Sequence, residues 1–128
     1  MDAHFTDREI DVMQVLWTRG PSIVAEVRAS LADSLAYTTV LTILRTLEAK
    51  GFVSHEEEGR GHRYFATVKQ HAAQTTALRH LTRKLFKGSA ELLLTQLVSD
   101  QALTPAELDR MRALLATKAR TSKAKGDE

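Results

Sequence analysis

The sequence predicts a mainly α-helical chain with one small β-hairpin. Three observations predict it. Before residue 51, apolar residues recur at three- and four-residue spacing in successive segments. A glycine-rich turn, Gly59-Arg60-Gly61-His62-Arg63, then lies between two short runs of strand-forming residues. From Lys69 onward the spacing is helical again. The chain has 128 residues and is 43% hydrophobic, enough for one modest core or a small domain with an appendage.

The first helix is expected over residues 7–18. Thr6-Asp7-Arg8-Glu9 has the form of a capping box, and Ile10, Met13, Leu16 and Trp17 follow at helical spacing. Gly20-Pro21 stops it. Ser22 is the expected cap of a second helix, with Ile23, Val27 and Leu31 on one face and an end near 32–34. The third helix is expected over 37–50, stopped by Gly51. At 100° per residue, Val40, Ile43, Leu44 and Leu47 make its core face. Thr38, Leu41, Thr42, Arg45 and Ala49 fall on the opposite side, flanked by Thr39, Thr46 and Lys50.

The hairpin is expected over 53–57 and 63–68. Its Glu56-Glu57-Glu58 run reads as a solvated strand edge, where charge also discourages strand-to-strand aggregation. Beyond it, Ala73, Ala77, Leu81 and Leu85 step every four residues, with Leu78 and Phe86 beside them, until Gly88-Ser89 breaks the pattern. Leu92, Leu93, Leu94, Leu97 and Val98 form a dense apolar segment. Thr104-Pro105-Ala106-Glu107 opens a last helix with Leu108, Met111, Leu114 and Leu115 as its stripe. The charged tail from Lys118 reads as frayed.

Helix, helix, helix, hairpin is the order of a winged helix-turn-helix. In that architecture the third helix enters the DNA major groove and the hairpin wing lies along the backbone. Threonine is a mediocre helix former, so four threonines in one helix call for a reason. Their hydroxyls suit phosphate oxygens and base edges, and their methyls suit thymine methyls. Asp and Glu are absent from residues 36–47. The residues expected to meet DNA are Tyr37, Thr38, Thr39, Leu41, Thr42 and Arg45 on the third helix, and Arg60, His62 and Arg63 in the wing.

The expected organisation is a winged helix-turn-helix domain at 1–68, a helical dimerisation domain at 69–120 and a flexible tail at 121–128. The C-terminal stripes cannot be buried on themselves, so Leu81, Leu85, Leu92, Leu93, Leu97, Leu108, Met111 and Leu115 are expected to pack against a second copy. A homodimer also suits two DNA half-sites about 34 Å apart.

Charge qualifies this reading. The whole chain carries +2, but residues 1–68 carry seven basic and ten acidic side chains, net −3, against +5 for the remainder. A nucleic-acid surface in the first part must therefore come from local placement. There is no cysteine, which excludes disulfides and thiolate metal sites. The polar, acidic N-terminus is unlike a signal peptide, and no apolar run reaches the roughly 20 residues needed to span a bilayer; a soluble, cytoplasmic protein is expected. His4, His55, His62, His71 and His80 lack metal-ligand spacing, no catalytic arrangement is evident, and no cofactor is implied. Two rival readings share the fold: a small-molecule-responsive winged-helix regulator with a pocket between its two parts, and a winged helix used for protein contact.

The pieces Thr6 to Glu9 with Val12-Met13-Gln14-Val15-Leu16-Trp17, then AYTTVLTILRTLEAKGFV, then EEEGRGHRYFA, resemble the BlaI/MecI/CopY family of bacterial transcriptional repressors. The resemblance covers nearly all of residues 6–68 and is looser beyond. It implies a homodimer that binds an inverted-repeat operator in double-stranded DNA and blocks transcription, in some members of antibiotic-resistance genes. It assigns base contacts to Thr38, Thr39 and Leu41, where some members carry basic residues at the first and last. Many members are paired with a membrane-bound sensor metalloprotease that cuts the dimerisation region. The counterpart of the Asn-Phe bond cut in β-lactam-responsive members is Gln96-Leu97. The copper-responsive branch uses a C-terminal cysteine pair, which this chain lacks.

Overall fold

The computed structural model describes residues 4–100 and 102–126, with the side chains of 124–126 excepted. The chain forms two compact units, Met1–Leu81 and Thr82–Glu128.

The first unit opens with α1 (Asp7–Arg19). The Thr6 hydroxyl accepts from the Glu9 N–H at 3.2 Å, and the Glu9 carboxylate accepts from the Thr6 N–H at 2.7 Å, so the expected capping box is formed. After Gly20 the chain departs from expectation. Ser22 does not cap a helix; Ser22–Ile23 form a short strand, β1. Ser22 pairs with Tyr64, and its fully buried hydroxyl donates to the Gly20 carbonyl at 2.8 Å. α2 is consequently shorter, Val24–Ser30, and ends before 32–34. Its start is held by Glu26, whose carboxylate accepts from the Ile23 N–H at 3.0 Å.

α3 (Tyr37–Ala49) follows. Val40, Leu44 and Leu47 are fully buried. Ile43 is only half-buried, and Leu41, expected to face outward, is half-buried against the core. Gly51, at φ +87°, turns the chain into the hairpin.

β2 (Val53–Glu58) and β3 (Gly61–Ala66) are joined by only two residues, Gly59 and Arg60. Gly59 at φ +61° takes the first central position, where a type II′ hairpin turn requires glycine. The turn is tighter than expected, and β3 starts earlier and ends at Ala66. β3 is the middle strand of a three-stranded antiparallel sheet, order β1-β3-β2. The core joins Val12, Met13 and Leu16 of α1, Val24 and Val27 of α2, the buried face of α3, and Phe52, Val53 and Tyr64. Burying such side chains contributes roughly 1.5–3 kcal/mol each.

α4 (Gln70–Leu85) begins within this unit. Ala73 is buried, the Gln70 amide donates to Gln14 at 3.3 Å, and the Trp17 indole donates to the Val68 carbonyl at 2.9 Å. The compact units therefore divide inside α4, whereas the sequence reading divides the chain at 68. Lys87 and Gly88, both at positive φ, separate α4 from α5 (Ala90–Ser99), which Ser89 caps by accepting from the Leu92 N–H at 3.0 Å. α6 (Pro105–Gly126) opens on a capping box between Thr104 and Glu107 and continues through 126, so the segment expected to be a flexible tail from 121 is helical that far. Residues 127 and 128 lie outside the described residues.

Among the described residues, none after Ala73 is buried. Leu81, Leu85, Leu92, Leu97, Leu108 and Leu115 are exposed, and Leu93 and Met111 are half-buried.

Candidate nucleic-acid interface

The outer side of α3 carries mostly polar residues, opposite an inner side of aliphatic ones. Tyr37, Thr38, Thr39, Thr42, Arg45 and Thr46 are all exposed. No side chain caps the helix start and no acid lies in its first turn. The first N–H groups of α3 thus present partial positive charge with no carboxylate to cancel it, an arrangement that favours anions.

The threonines are not equivalent. The Thr42 hydroxyl donates to the Thr38 carbonyl at 2.9 Å and the Thr46 hydroxyl to the Thr42 carbonyl at 3.0 Å. Their hydrogens are taken, which leaves each oxygen as an acceptor with a methyl beside it. The Thr38 and Thr39 hydroxyls make no such bond among the described residues, so their hydrogens stay available to a partner. Leu41 is partly withdrawn into the core and offers only its remaining apolar surface.

Arg45 is exposed but lies beside the buried Tyr64 hydroxyl. Burial pushes the Tyr64 pKa up, Glu48 adds to the rise, and the hydrogen-bonded Arg45 guanidinium partly offsets it. Arg45 thus joins α3 to β3 as well as facing outward.

The wing separates its two arginines. Arg60, at the tip, is exposed and has no side-chain partner among the described residues. Arg63 is engaged inside the protein: Nε donates to Glu58 at 2.7 Å, and Nη1 to Glu26 at 3.1 Å and the Pro21 carbonyl at 3.2 Å. Arg19 reaches the other oxygen of Glu26 at 2.7 Å. The carboxyl of Glu26 is held below its usual range, first by the Ile23 N–H and then by the Arg19 guanidinium. Arg63 is therefore a strut between the wing and α2, because acidic side chains fill its fork.

His62 is half-buried and not a free wing residue. Its ring stacks on that of His55, with centroids 4.1 Å apart and planes 11° from parallel. His55 Nδ1 lies 2.5 Å from the Glu48 carboxylate of α3. The sequence reading missed Glu48, His55 and Glu26. Only Glu26 left a local signal, a glutamate three residues after a helix-start position; the others meet across the fold.

A sequence model described as the penicillinase repressor matches residues 5–117 of this chain. The methicillin resistance regulatory protein MecI of Staphylococcus aureus (strain N315) is 21% identical over 114 residues, which cover 86% of this chain and 91% of MecI. The transcriptional regulator BlaI of Mycobacterium tuberculosis (strain ATCC 25618 / H37Rv) is 43% identical over 61 residues, 45% of this chain and 44% of BlaI. An uncharacterised 16.5 kDa protein from the ptsI 3′ region of Latilactobacillus sakei is 28% identical over 119 residues, 91% of this chain and 82% of its own length. These relatives include transcriptional regulators, and the matched family is one of repressors and not of enzymes. The chain belongs to the penicillinase repressor family and is a winged-helix transcriptional repressor.

Proposed function

We propose that the protein is a homodimer that occupies an inverted-repeat operator in double-stranded DNA and blocks transcription by occupancy. Each α3 enters a major groove, with Tyr37, Thr38, Thr39, Thr42 and Arg45 toward bases and phosphates and Leu41 offering apolar contact. Each wing tip anchors on the backbone through Arg60. The observation that carries this reading is the acid-free start of α3 with no side-chain cap, set beside a wing whose tip arginine has no side-chain partner among the described residues. His62 and Arg63, expected as DNA contacts from the sequence, serve instead to shape the wing.

The second unit supports the dimer. It leaves Leu92, Leu97, Leu108 and Leu115 exposed, and a chain of this kind gains by burying them against a copy of itself. Two linked reading heads then bind far more tightly than one. Any event that cuts or loosens this unit releases the operator. Gln96 and Leu97, the counterpart of the bond cut in related repressors, are both exposed in α5. Cleavage by a membrane-bound sensor metalloprotease is the proposed release step, and it requires local opening of that helix.

The test is fluorescence anisotropy of the full chain and of a fragment ending at Leu81 on DNA from upstream of its own gene, over a salt series. The fragment keeps the buried Ala73 and so retains its own core. The full chain is expected to bind selectively, with log affinity falling by about 0.9 per phosphate contact per log unit of salt. The fragment is expected to bind at least a hundredfold more weakly, within the about 10²–10⁴ range of linked-site avidity. Equal affinities would overturn the dimeric reading.

A further inference from the structure

We infer that Glu48 and His55 are positioning residues that aim the wing at DNA: Glu48 of α3 grips His55 of β2, and His55 carries His62 of β3 in a ring stack. The inference rests on the proposed phosphate contact of Arg60 and deepens it.

Three observations meet at this junction. His55 Nδ1 and the Glu48 carboxylate are 2.5 Å apart, across the boundary between recognition helix and wing. The His55 and His62 rings are nearly parallel at 4.1 Å, and both lie near the Tyr64 ring, at 5.4 and 6.1 Å. His55 pairs with Tyr64, and His62 pairs with Glu57, one step nearer the tip on the same face. The Glu48 contact on β2 is therefore passed to β3 through the His55–His62 stack. On the other face Arg63 ties β3 to Glu26 of α2. The wing base is held from both sides; the recognition helix holds it through Glu48 on His55 and, deeper in the fold, through Arg45 on the buried Tyr64.

The lever arm explains why this matters. From His55 to the turn at Gly59 the strand rises about 3.3 Å per residue, so the tip stands about 13 Å beyond the grip. A tilt of about 10° there displaces Arg60 by roughly 2 Å, enough to take a hydrogen bond out of range. Neither Glu48 nor His55 needs to touch DNA to govern whether Arg60 does.

The affinity of a Glu48 variant would not by itself be diagnostic, because removing a carboxylate near DNA also strengthens phosphate attraction and can mask a loss. The test is a double-substitution cycle on the full-length protein. The probe is the tightest duplex recovered by selection from random-sequence DNA. Arg60→Ala is measured alone, with Glu48→Leu, with Glu48→Gln and with His55→Leu; urea midpoints check that each variant is folded. Arg60→Ala is expected to weaken binding about tenfold in the unsubstituted protein, a solvent-exposed ion contact on each protomer being worth about threefold. It is expected to change binding by less than twofold beside Glu48→Leu or His55→Leu. Glu48→Gln, which still accepts from the His55 ring, is expected to restore most of the effect. A tenfold effect of Arg60→Ala in every background would overturn the inference and leave the DNA contact standing. No effect of Arg60→Ala in the unsubstituted protein would overturn the wing contact itself, and the inference with it. Should Glu48→Leu fail to fold, the His55→Leu arm decides the same question.

Discussion

Lys50 Nζ lies 2.8 Å from Glu9 Oε1, joining the C-terminal cap of α3 to the first turn of α1. Glu9 is almost fully buried, and its other oxygen has no partner among the described residues. The Lys50 ammonium also donates to the His4 carbonyl at 3.1 Å. One cation thus neutralises a buried capping carboxylate and fixes the far end of the helix that carries the threonine face.

Lys50→Met should therefore destabilise the first unit by about 3 kcal/mol, because it leaves a buried carboxylate without its counter-charge. Urea unfolding at neutral pH checks this. The double variant Lys50→Met with Glu9→Gln should recover part of the loss, and an unchanged midpoint in the single variant would contradict the assignment.

The same pair sets a pH dependence. Burial pushes the Glu9 pKa up, but Lys50 and the Thr6 N–H more than offset it, and the carboxyl ends below its ordinary value of 4.5. A carboxyl lowered by folding stabilises the fold in full above its unfolded value, and that stability is lost as pH falls through the folded value. Glu26 and Glu107 are shifted the same way. Stability should be flat from neutrality to about pH 5 and fall below 4.5. Glu9→Gln should start less stable at pH 7 and lose less on acidification.

Thr42→Ala separates function from folding. Alanine is the better helix former by roughly 0.5 kcal/mol, so the thermal midpoint should hold or rise slightly. Operator affinity should fall about tenfold through loss of the acceptor oxygen and the methyl group, a base contact being worth about 1–3 kcal/mol. Calorimetry and anisotropy on one preparation read both.

The two wing arginines should part company. Arg60→Ala should leave the unfolding midpoint unchanged and reduce the salt slope by about one per wing. Arg63→Met should lower the midpoint, since Glu26 and Glu58 lose their shared partner, and leave the salt slope nearly unchanged. The reverse pattern would restore Arg63 as the phosphate contact.

Leu108→Asp should convert the dimer to a monomer. Leu108 is 39% exposed in the single chain, so an aspartate there is tolerated within one copy and costly only where a second copy covers it. Light scattering should move from twice the 14.2 kDa chain mass to that mass, with the first unit still folded.

Much of this was legible in the residues. Thr6-Asp7-Arg8-Glu9 and Thr104-Pro105-Ala106-Glu107 marked helix starts through bonds that span three residues. Val40, Leu44 and Leu47 marked the buried side of α3 through spacing alone. Gly59 and the flanking strand residues marked the hairpin. These features depend on near neighbours in the chain, so local pattern determines them.

The remainder is long-range. Ser22 looked like a cap because a serine after Gly-Pro is one in isolation; its pairing with Tyr64 exists only once the hairpin has folded back beside it. Arg63 reads as a free wing cation in the sequence; only the fold brings Glu26 and Glu58 around it. His62 met His55 only through strand register, and Leu41 is half-buried against a core that distant elements assemble. The sequence by itself determined the helices, the hairpin, their order and the threonine face of the third helix, but not the short strand β1. The tertiary structure decided which charges remain free for a partner and which are held within the fold, because that depends on what distant segments place beside each side chain.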